Sequence, residues 1–222
     1  SLYNARVGAD QNFRRFSYRE LQALRESPEV FSDIAAQSFL TEAIGPENHL
    51  QTRMVSFVSE NFFSVLGVHP AVGRFFSAEE SQPGASIPVV VASFALWERL
   101  GRPADFVGST LRVNQRTYTV IGLTPPGFVG LHISIGPDLW LPLGEETLVT
   151  GKDLQQPEST WFSLIARLQP RLTLDSARQR LDPADRRLNS VAPADNAGPR
   201  RLVIDLPLRT DLGPSKPQDE GY

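Results

Sequence analysis

The residue types that most often carry catalysis are scattered along this chain. The three histidines, His49, His69 and His132, lie far from one another, and none has a suitable carboxylate at a short ligand spacing. A metal site requires several ligands that converge at about 2 Å from one ion, and nothing in this spacing predicts such convergence. The chain has no cysteine, which excludes disulfides, thiolate ligands and cysteine nucleophiles. We therefore predict no metal site, no cofactor and no catalytic residue.

Two pairs of adjacent carboxylates and one serine are the remaining catalytic candidates. Glu79–Glu80 and Glu145–Glu146 lie in polar loops, and adjacent loop carboxylates usually share one solvated environment instead of having separated pKa values. Residues 84–88, Gly-Ala-Ser-Ile-Pro, approach a nucleophile elbow, but they lack its final glycine and precede a strand. Neither glycine-rich phosphate-binding pattern occurs in the sequence. We interpret both carboxylate pairs as solvated and Ser86 as part of a plain turn.

Two groups of residues are candidates for binding a partner. The densest basic group consists of Arg178, Arg180, Arg186, Arg187, Arg200 and Arg201. Because Asp175, Asp182 and Asp185 are interleaved with it, we favour a solvated helix face with local ion pairs. The aromatic group consists of Phe62, Phe63, Phe75 and Phe76, with Trp140 further along the chain. For the phenylalanines we favour packing in a core or between subdomains, and a partner surface that includes Trp140 is the alternative.

The first elements are a capped helix and two strands. Ser17 is placed as the N-cap of a helix with Glu20 at the third helical position, which is a capping box, and Ser27-Pro28 ends this helix. Residues 31–41 and 50–58 are strand-like, the second with a period of two. An antiparallel pair is the simplest joint interpretation.

The middle of the chain mixes short helices and strands. Residues 61–67 predict a helix stopped by Gly67, residues 87–92 a strand, and Ser93 the cap of another helix. Residues 111–113 and 117–123 predict a hairpin, in which Gln115 stands where a tight turn favours glycine, so we expect a looser loop. Residues 138–143 predict an edge strand, because Pro142 cannot donate a hydrogen bond to a central ladder.

The last part of the chain returns to a strand, a helix and a strand. A strand from Trp161 to Leu168 precedes a helix that Thr173 caps. Pro183 interrupts this helix, so we predict a kink near residue 182, with Asp182 capping the restarted helix. Residues 202–206 predict a final strand, and residues 207–222 a loose tail.

The order of elements predicts an α+β fold with a split subdomain. Residues 1–59 and 160–206 form the two halves of one α/β subdomain, and residues 60–159 form a mostly-β subdomain inserted between them.

With 22 Lys+Arg against 25 Asp+Glu, the net charge of −3 offers no general field for nucleic acid. No run of about 18 apolar residues occurs, so these 222 residues predict no membrane-spanning helix. Because the chain starts at Ser1 without a leader or an initiator methionine, we interpret it as an excised fragment.

Several segments carry a family resemblance. Residues 58–68, Val-Ser-Glu-Asn-Phe-Phe-Ser-Val-Leu-Gly-Val, followed by Pro70 and by Gly-Arg-Phe-Phe at 73–76, strongly resemble the extracytoplasmic core domain of MacB-type ABC transporter permeases. Later segments occur in the family's order, and they are Pro88–Val91, Trp97, Val107–Gly108, Leu111–Asn114, Tyr118–Gly122, Pro125–Phe128 and Asp138–Leu143. The return segment 161–188 looks like the family's strand and following helix. The resemblance covers most of residues 14–206, and the acidobacterial permeases are its nearest group.

The resemblance implies a domain between the first and second membrane helices of a permease. It implies a porter-like α/β part with an inserted mostly-β part, often called the sabre subdomain. It also implies that the permease dimerises and that a cytoplasmic ATP-binding subunit or domain drives its motion. Three residues depart from the family pattern, namely Glu60 and Gln115 at positions where glycine is usual, and Pro183 inside the second helix.

The leading hypothesis is a non-enzymatic module on the periplasmic side of the inner membrane. It relays ATP-driven motion of the membrane helices to efflux or extraction of a substrate. The alternative hypothesis is a binding module that captures a lipoprotein, a peptide or a periplasmic adaptor protein, with Phe62, Phe63, Phe75, Phe76 and Trp140 as its surface. An enzyme of unknown type is the third class considered, and no nucleic-acid partner is expected.

Overall fold

Twelve strands in the described part of the chain join in one mixed sheet, as seen in a computed structural model. The structure describes residues 1–7, 13–44, 51–131, 136–147, 151, 153–156, 158–192 and 198–206. The predicted tail 207–222 lies outside them, as do His49 and His132. The strands are β1 (Leu2–Arg6), β2 (Phe13–Arg14), β3 (Phe16–Ser17), β4 (Phe31–Ile44), β5 (Gln51–Val58), β6 (Val72–Gly73), β7 (Val89–Ala92), β8 (Thr110–Val113), β9 (Arg116–Leu123), β10 (Leu139–Pro142), β11 (Thr160–Leu168) and β12 (Arg200–Ile204).

Five α-helices accompany the sheet among the described residues. They are α1 (Tyr18–Arg25), α2 (Phe62–Leu66), α3 (Phe94–Arg99), α4 (Leu174–Arg178) and α5 (Asp182–Val191), with a 3-10 turn at Leu143–Glu145. The predicted capping box of α1 is present, since the Ser17 side chain accepts from the Glu20 amide and Glu20 accepts from the Ser17 amide. Gly67 ends α2 with a φ of 73°, a conformation that glycine adopts without strain.

The sheet runs without a break through both predicted subdomains. Its order is β12-β1-β11-β4-β5-β10-β7-β9-β6, with β2 beside β1, β3 beside β11, and β8 touching both β4 and β9. The first five strands in this order come from residues before 59 and after 159, and the other four come from residues 72–142. The two groups meet where β10 lies parallel to β5. The division into two subdomains stays a prediction, and the α+β fold class is confirmed.

Strand β10 is central, so the predicted edge strand is wrong. β10 pairs with β5 along its length and with β7 through Leu139 and Trp140. Pro142 is its last residue, beyond the end of the β7 pairing, where the missing N–H removes no bond to that neighbour. All four residues of β10 are buried, as in a strand covered on both faces.

The β8–β9 hairpin is tighter than predicted. Val113 pairs with Arg116, so only Asn114 and Gln115 form the connection. Asn114 adopts a φ of 52°, which asparagine tolerates better than most residues. Its amide donates to the Ala43 carbonyl at 2.7 Å, and its side-chain oxygen accepts from the Ala43 amide at 3.2 Å. Packing against the end of β4 therefore fixes a tight turn without glycine at position 115.

The helix after Thr173 breaks into two pieces, as the prediction of a kink near residue 182 requires. α4 ends at Arg178 and α5 begins at Asp182, with Pro183 in its first turn. The cap residue is Leu181, one position earlier than predicted, and no side chain caps this end. The predicted cap, Asp182, instead lies inside the first turn.

Three clusters of buried side chains form the core among the residues that the structure describes. The first packs α1, α4 and α5 on β1, β4, β11 and β12, with Leu21, Leu24, Phe162 and Leu188 among its members. The second lies under α3 and β8, around Phe57, Tyr118 and Leu141. The third surrounds α2 and includes Phe63 and Trp140.

Candidate functional site

The segment that carries the family resemblance forms a hydrogen-bond network around Asn61. The Asn61 amide group donates to Asp33 Oδ1 at 2.5 Å and to the Ile34 carbonyl at 2.9 Å. Its side-chain oxygen accepts from the Ser59 hydroxyl at 2.7 Å and from Arg25 Nη2 at 2.8 Å. One side chain therefore links the start of α2 to β4 and to the end of α1.

A shallow polar cavity of about 280 Å³ lies beside this network. Arg25 and Glu60 form an ion pair of 3.2 Å at its wall, with both side chains partly exposed. The lining residues are Arg25, Phe31, Ser32, Asp33, Ile34, Glu60 and Asn61. Arg25, Asp33, Glu60 and Asn61 pair among themselves, and the Ser32 hydroxyl donates to the Arg167 and Leu168 carbonyls of β11. The arrangement therefore positions three elements, and each polar side chain of the lining has a partner.

The predicted aromatic group converges on Phe63. Its ring stacks on Phe75 with centroids 3.8 Å apart and meets Phe62 edge-on at 5.4 Å. Phe76 lies 6.3 Å away and Trp140 lies 6.0 Å away, both within the range of favourable ring pairs. Phe128, which was not predicted, joins at 5.8 Å. These residues come from α2, from the segment before Ser77, from the segment after β9 and from β10.

Burial decides which of these aromatic side chains a partner would meet. Phe62 and Trp140 are 0% exposed, Phe63 is 1% exposed and Phe76 is 8% exposed, whereas Phe75 is only partly buried. Four of the five predicted surface residues therefore pack inside the third cluster. A partner surface here stays a prediction, and Phe75 is the member of the five that a partner would reach in this conformation.

The prediction that both glutamate pairs are solvated is wrong for three of the four residues. Glu79 is exposed, but Glu80 is 5% exposed, Glu145 is 0% exposed and Glu146 is 3% exposed. Glu80 receives two hydrogen bonds from Arg74, at 2.6 and 2.9 Å, and one from the Ser77 amide at 2.8 Å. Burial opposes ionisation, but these bonds prevail and lower the pKa of Glu80.

The Glu80 site repeats the geometry of the site around Glu20. Arg14 donates to both oxygens of Glu20 at 2.5 and 2.8 Å, and the Ser17 amide donates to Glu20 at 2.8 Å. Both sites therefore share one local pattern, in which an arginine, a serine and a glutamate follow at intervals of three residues. The pattern occurs at 14, 17 and 20 and at 74, 77 and 80. This spacing is the sequence signal that could have revealed a buried Glu80.

Glu145 is buried beside a tyrosine. The Tyr118 hydroxyl donates to Glu145 Oε2 at 2.9 Å, and Arg116 Nη1 lies 3.4 Å from the same oxygen. Burial raises the pKa of Glu145, although Tyr118 and Arg116 act in the opposite direction. Burial, together with the charge of Glu145, also raises the pKa of Tyr118. The neighbour Glu146 accepts a hydrogen bond of 3.2 Å from Ser38. The pair thus fastens the end of β10 to β9 and β4.

The other predicted residues are separate from one another. His69 is exposed, and Ser86 is an exposed residue that follows the turn at 83–84, where Arg116 donates to its hydroxyl. In the basic group, Arg178 pairs with Asp175 at 3.1 Å, as a face with local ion pairs requires. Arg200 does not fit that interpretation, because it is 6% exposed.

A comparison with protein families matches residues 1–184 to the MacB-like periplasmic core domain. The chain belongs to this family. The family resemblance that the sequence suggested is therefore confirmed, and the chain is a periplasmic domain of an ABC transporter permease. A comparison with curated proteins finds no match. No helix in the described ranges combines the length and the apolar character needed to cross a membrane.

Solved structures of domains from MacB, from YknZ and from a putative permease have the same fold. The periplasmic region of MacB from Actinobacillus actinomycetemcomitans matches with a TM-score of 0.66 at 13% identity, over 91% of this chain and 86% of that one. The extracellular domain of the noncanonic ABC-type transporter YknZ from Gram-positive bacteria matches with 0.64 at 13% identity, over 92% and 100%. A domain of a putative permease from Porphyromonas gingivalis matches with 0.65 at 17% identity, over 96% and 91%.

Proposed function

We propose that this MacB-like domain relays ATP-driven movement of an inner-membrane permease to efflux or extraction of a substrate. In this proposal the domain is joined to the permease's first two membrane helices and has no catalytic residues of its own. A cytoplasmic ATP-binding subunit supplies the energy, and two permease copies work as a dimer.

The continuous sheet is the observation that supports a relay. The first and last described strands, β1 and β12, are neighbours, and an unbroken series of strand pairs leads from them to β9 and β6. Movement at the paired chain ends is transmitted to the far end of a sheet whose backbone is hydrogen-bonded throughout. The buried Glu80 and Glu145 sites contribute to such stiffness, because Glu80 fixes the conformation of its own segment from Arg74 and Glu145 joins the end of β10 to β9.

A distance measurement in the intact permease tests the relay. Spin labels are attached at Ala95→Cys on α3, an exposed position, in a domain whose 222 residues contain no cysteine. Any cysteine elsewhere in the permease is replaced by serine. We expect the distance between the two protomers to change between the nucleotide-free and the vanadate-trapped states. A second label at the exposed Arg180 gives the control distance to Ala95 within one domain, which should stay constant. Identical distance distributions between protomers in both states would contradict a relay.

A cysteine clamp adds the functional consequence. Two cysteines that cross-link the domains of opposite protomers should leave ATP hydrolysis active while export stops. Reduction of the cross-link should restore export, and single-cysteine variants provide the control. Unchanged export in the fully cross-linked permease would argue against the relay.

Capture of a lipoprotein, a peptide or an adaptor is the second candidate function. It is favoured by the partly buried Phe75 and by the apolar Val72 and Val129, which are 51% and 37% exposed. For capture, Phe75→Ser should abolish export while the nucleotide-driven distance change persists. For a relay without capture, the same variant should leave export intact.

A further inference from the structure

Strand β12 lies at one end of the sheet, so half of its backbone groups face away from β1. The Asp205 amide donates to the Ser1 carbonyl, and the Val7 amide donates to the Pro199 carbonyl. In an antiparallel pair, the backbone N–H and C=O groups of successive residues point alternately toward the neighbouring strand and away from it. The residues of β12 whose backbone N–H and C=O groups point away from β1 are therefore Arg200, Leu202 and Ile204.

Side chains of the two preceding helices occupy this outer edge. Asn189 donates to the Arg200 carbonyl at 2.6 Å and accepts from the Arg200 amide at 2.8 Å. Asp185 accepts from the Leu202 amide at 2.5 Å. On α4, Arg178 Nε donates to the Ile204 carbonyl at 3.2 Å. Arg200, Leu202 and Ile204 have six outward N–H and C=O groups in total, and four of the six therefore have a side-chain partner.

The spacing of the bonding side chains along α5 matches the spacing of their backbone partners along β12. Asp185 and Asn189 are four residues apart on α5, so they share one face and are separated by about 6 Å along the helix axis. Two residues of a strand span about 6.8 Å, which is the distance from Leu202 to Arg200 along β12. A helix laid antiparallel to the edge strand can therefore reach every second residue with every fourth side chain. The break at Pro183 lets α5 take this course independently of α4.

We infer that Asp185 and Asn189 close this sheet edge against strand addition by a second copy of the chain. Free N–H and C=O groups on an edge strand are a template for another strand. A second β12 fits the template, because two-fold pairing centred on Leu202 places Arg200 opposite Ile204 and brings no two arginines face to face. The side chains of α5 occupy three of the six groups that such pairing requires, and Arg178 of α4 occupies a fourth.

The double variant Asp185→Ala/Asn189→Ala tests the inference in this chain. Amide hydrogen exchange by NMR should become at least about fivefold faster at Arg200 and Leu202, the factor that corresponds to the net worth of one hydrogen bond. The amides of Arg201 and Val203, which face β1, should keep their protection. Sedimentation should show a dimer that grows with concentration, and protection at Arg200 and Leu202 should return as the dimer forms.

Matched variants separate edge closure from loss of the fold. Arg186→Ala and Ser190→Ala alter the same helix but remove no bond to β12, because the Ser190 hydroxyl donates to Arg187 of its own helix, and both should stay monomeric. Asp185→Asn keeps an acceptor for the Leu202 amide and should also stay monomeric. Asn189→Asp loses the donor to the Arg200 carbonyl and a bond to the Asp185 carbonyl within α5, but it keeps the acceptor for the Arg200 amide, so it should give a weaker dimer than the double variant. The inference is overturned if protection at Arg200 and Leu202 is unchanged, or if both amides are exposed and the protein remains a monomer.

Discussion

Glu80 and Glu145 are both buried carboxylates, yet their surroundings shift their pKa values in opposite directions. Glu80 has a guanidinium and a backbone amide on its oxygens, so the ionised form is favoured and its pKa falls. Glu145 has a hydroxyl and a more distant arginine, so the effect of burial dominates and its pKa rises. The two residues should therefore make the stability of the domain depend on pH in opposite ways.

Glu80→Gln should destabilise the domain by about 2 kcal/mol at neutral pH, because it removes charge-assisted hydrogen bonds from a buried site. A lowered pKa contributes stability above the ordinary pKa of a glutamate, and that contribution is lost as pH falls through the folded-state value. The difference in unfolding free energy between wild type and variant should thus shrink in acid. Urea titrations from neutral to acid pH measure it, with the exposed Glu79→Gln as the control. A constant difference across this range would contradict the assignment.

Glu145→Gln should have the opposite dependence. The raised pKa means that the charged folded form is penalised above the folded-state pKa, and the penalty is relieved as pH falls towards the ordinary glutamate value. Glutamine still accepts from Tyr118 and carries no charge, so its stability relative to wild type should rise with pH. Tyr118→Phe controls for the hydrogen bond. If the same titrations show the variant losing stability as pH rises, the pKa direction is wrong.

Sequence reasoning at the scale of single residues succeeded where a motif is local. The Ser17–Glu20 capping box needs only neighbouring residues, and it was predicted. Glu145 was mispredicted because its partner Tyr118 is 27 residues away, which no local pattern reveals. Glu80 is intermediate between a local motif and a distant contact. Its partners Arg74 and Ser77 are close in sequence, but they do not belong to a predicted helix, so there was no reason to expect a cap there.

At the scale of elements, the β8–β9 turn depends on Asn114. Asn114→Ala should destabilise the domain by about 2 kcal/mol, because it loses the bond from Ala43 and places alanine at a positive φ. Asn114→Gly keeps the favourable backbone conformation and should cost about 1 kcal/mol, which isolates the side-chain bonds. Thermal unfolding measures both. Equal effects of the two variants would show that the backbone conformation contributes nothing.

The start of α2 depends in the same way on Asn61. Asn61→Ala removes four side-chain hydrogen bonds from a partly buried site, those with Asp33, Ile34, Ser59 and Arg25, and should cost about 2–3 kcal/mol. The exposed Ser64→Ala on the same helix removes only a bond to its own helix and serves as the control. A loss below about 0.5 kcal/mol for Asn61→Ala would mean that this network is dispensable.

Element types were predicted better than element neighbours. Periodicity and caps located the helices and most of the strands, because they reflect local backbone preferences. The order of strands in the sheet has no such local signal. Pro142 suggested an edge, yet its position at the last residue of β10 lets that strand lie between β5 and β7. Burial also depends on which distant elements pack together, so the sequence identified the aromatic group but did not decide whether it is buried.

The whole molecule has one tryptophan at each of its three core clusters. Trp161 packs against the first cluster, Trp97 against the second, and Trp140 lies in the third. Because one sheet connects the clusters, we expect a single cooperative unfolding transition. In each of three variants that keep one tryptophan and replace the others with phenylalanine, the urea midpoint from fluorescence should equal that from circular dichroism. Unequal midpoints would instead support independently folding subdomains.

The pairing of the first and last described strands determines how the domain responds to tension. Leu2 lies opposite Ile204, and the Ser1 amino group donates to the Asp205 carbonyl at 2.7 Å, so both ends leave the sheet at the same corner. A force that separates these two ends breaks the hydrogen bonds between β1 and β12 one after another. It does not load all of these bonds at the same time, as shear along the strands would. This seam is therefore the weakest against outward tension, and the remaining strands stay unloaded until it has parted.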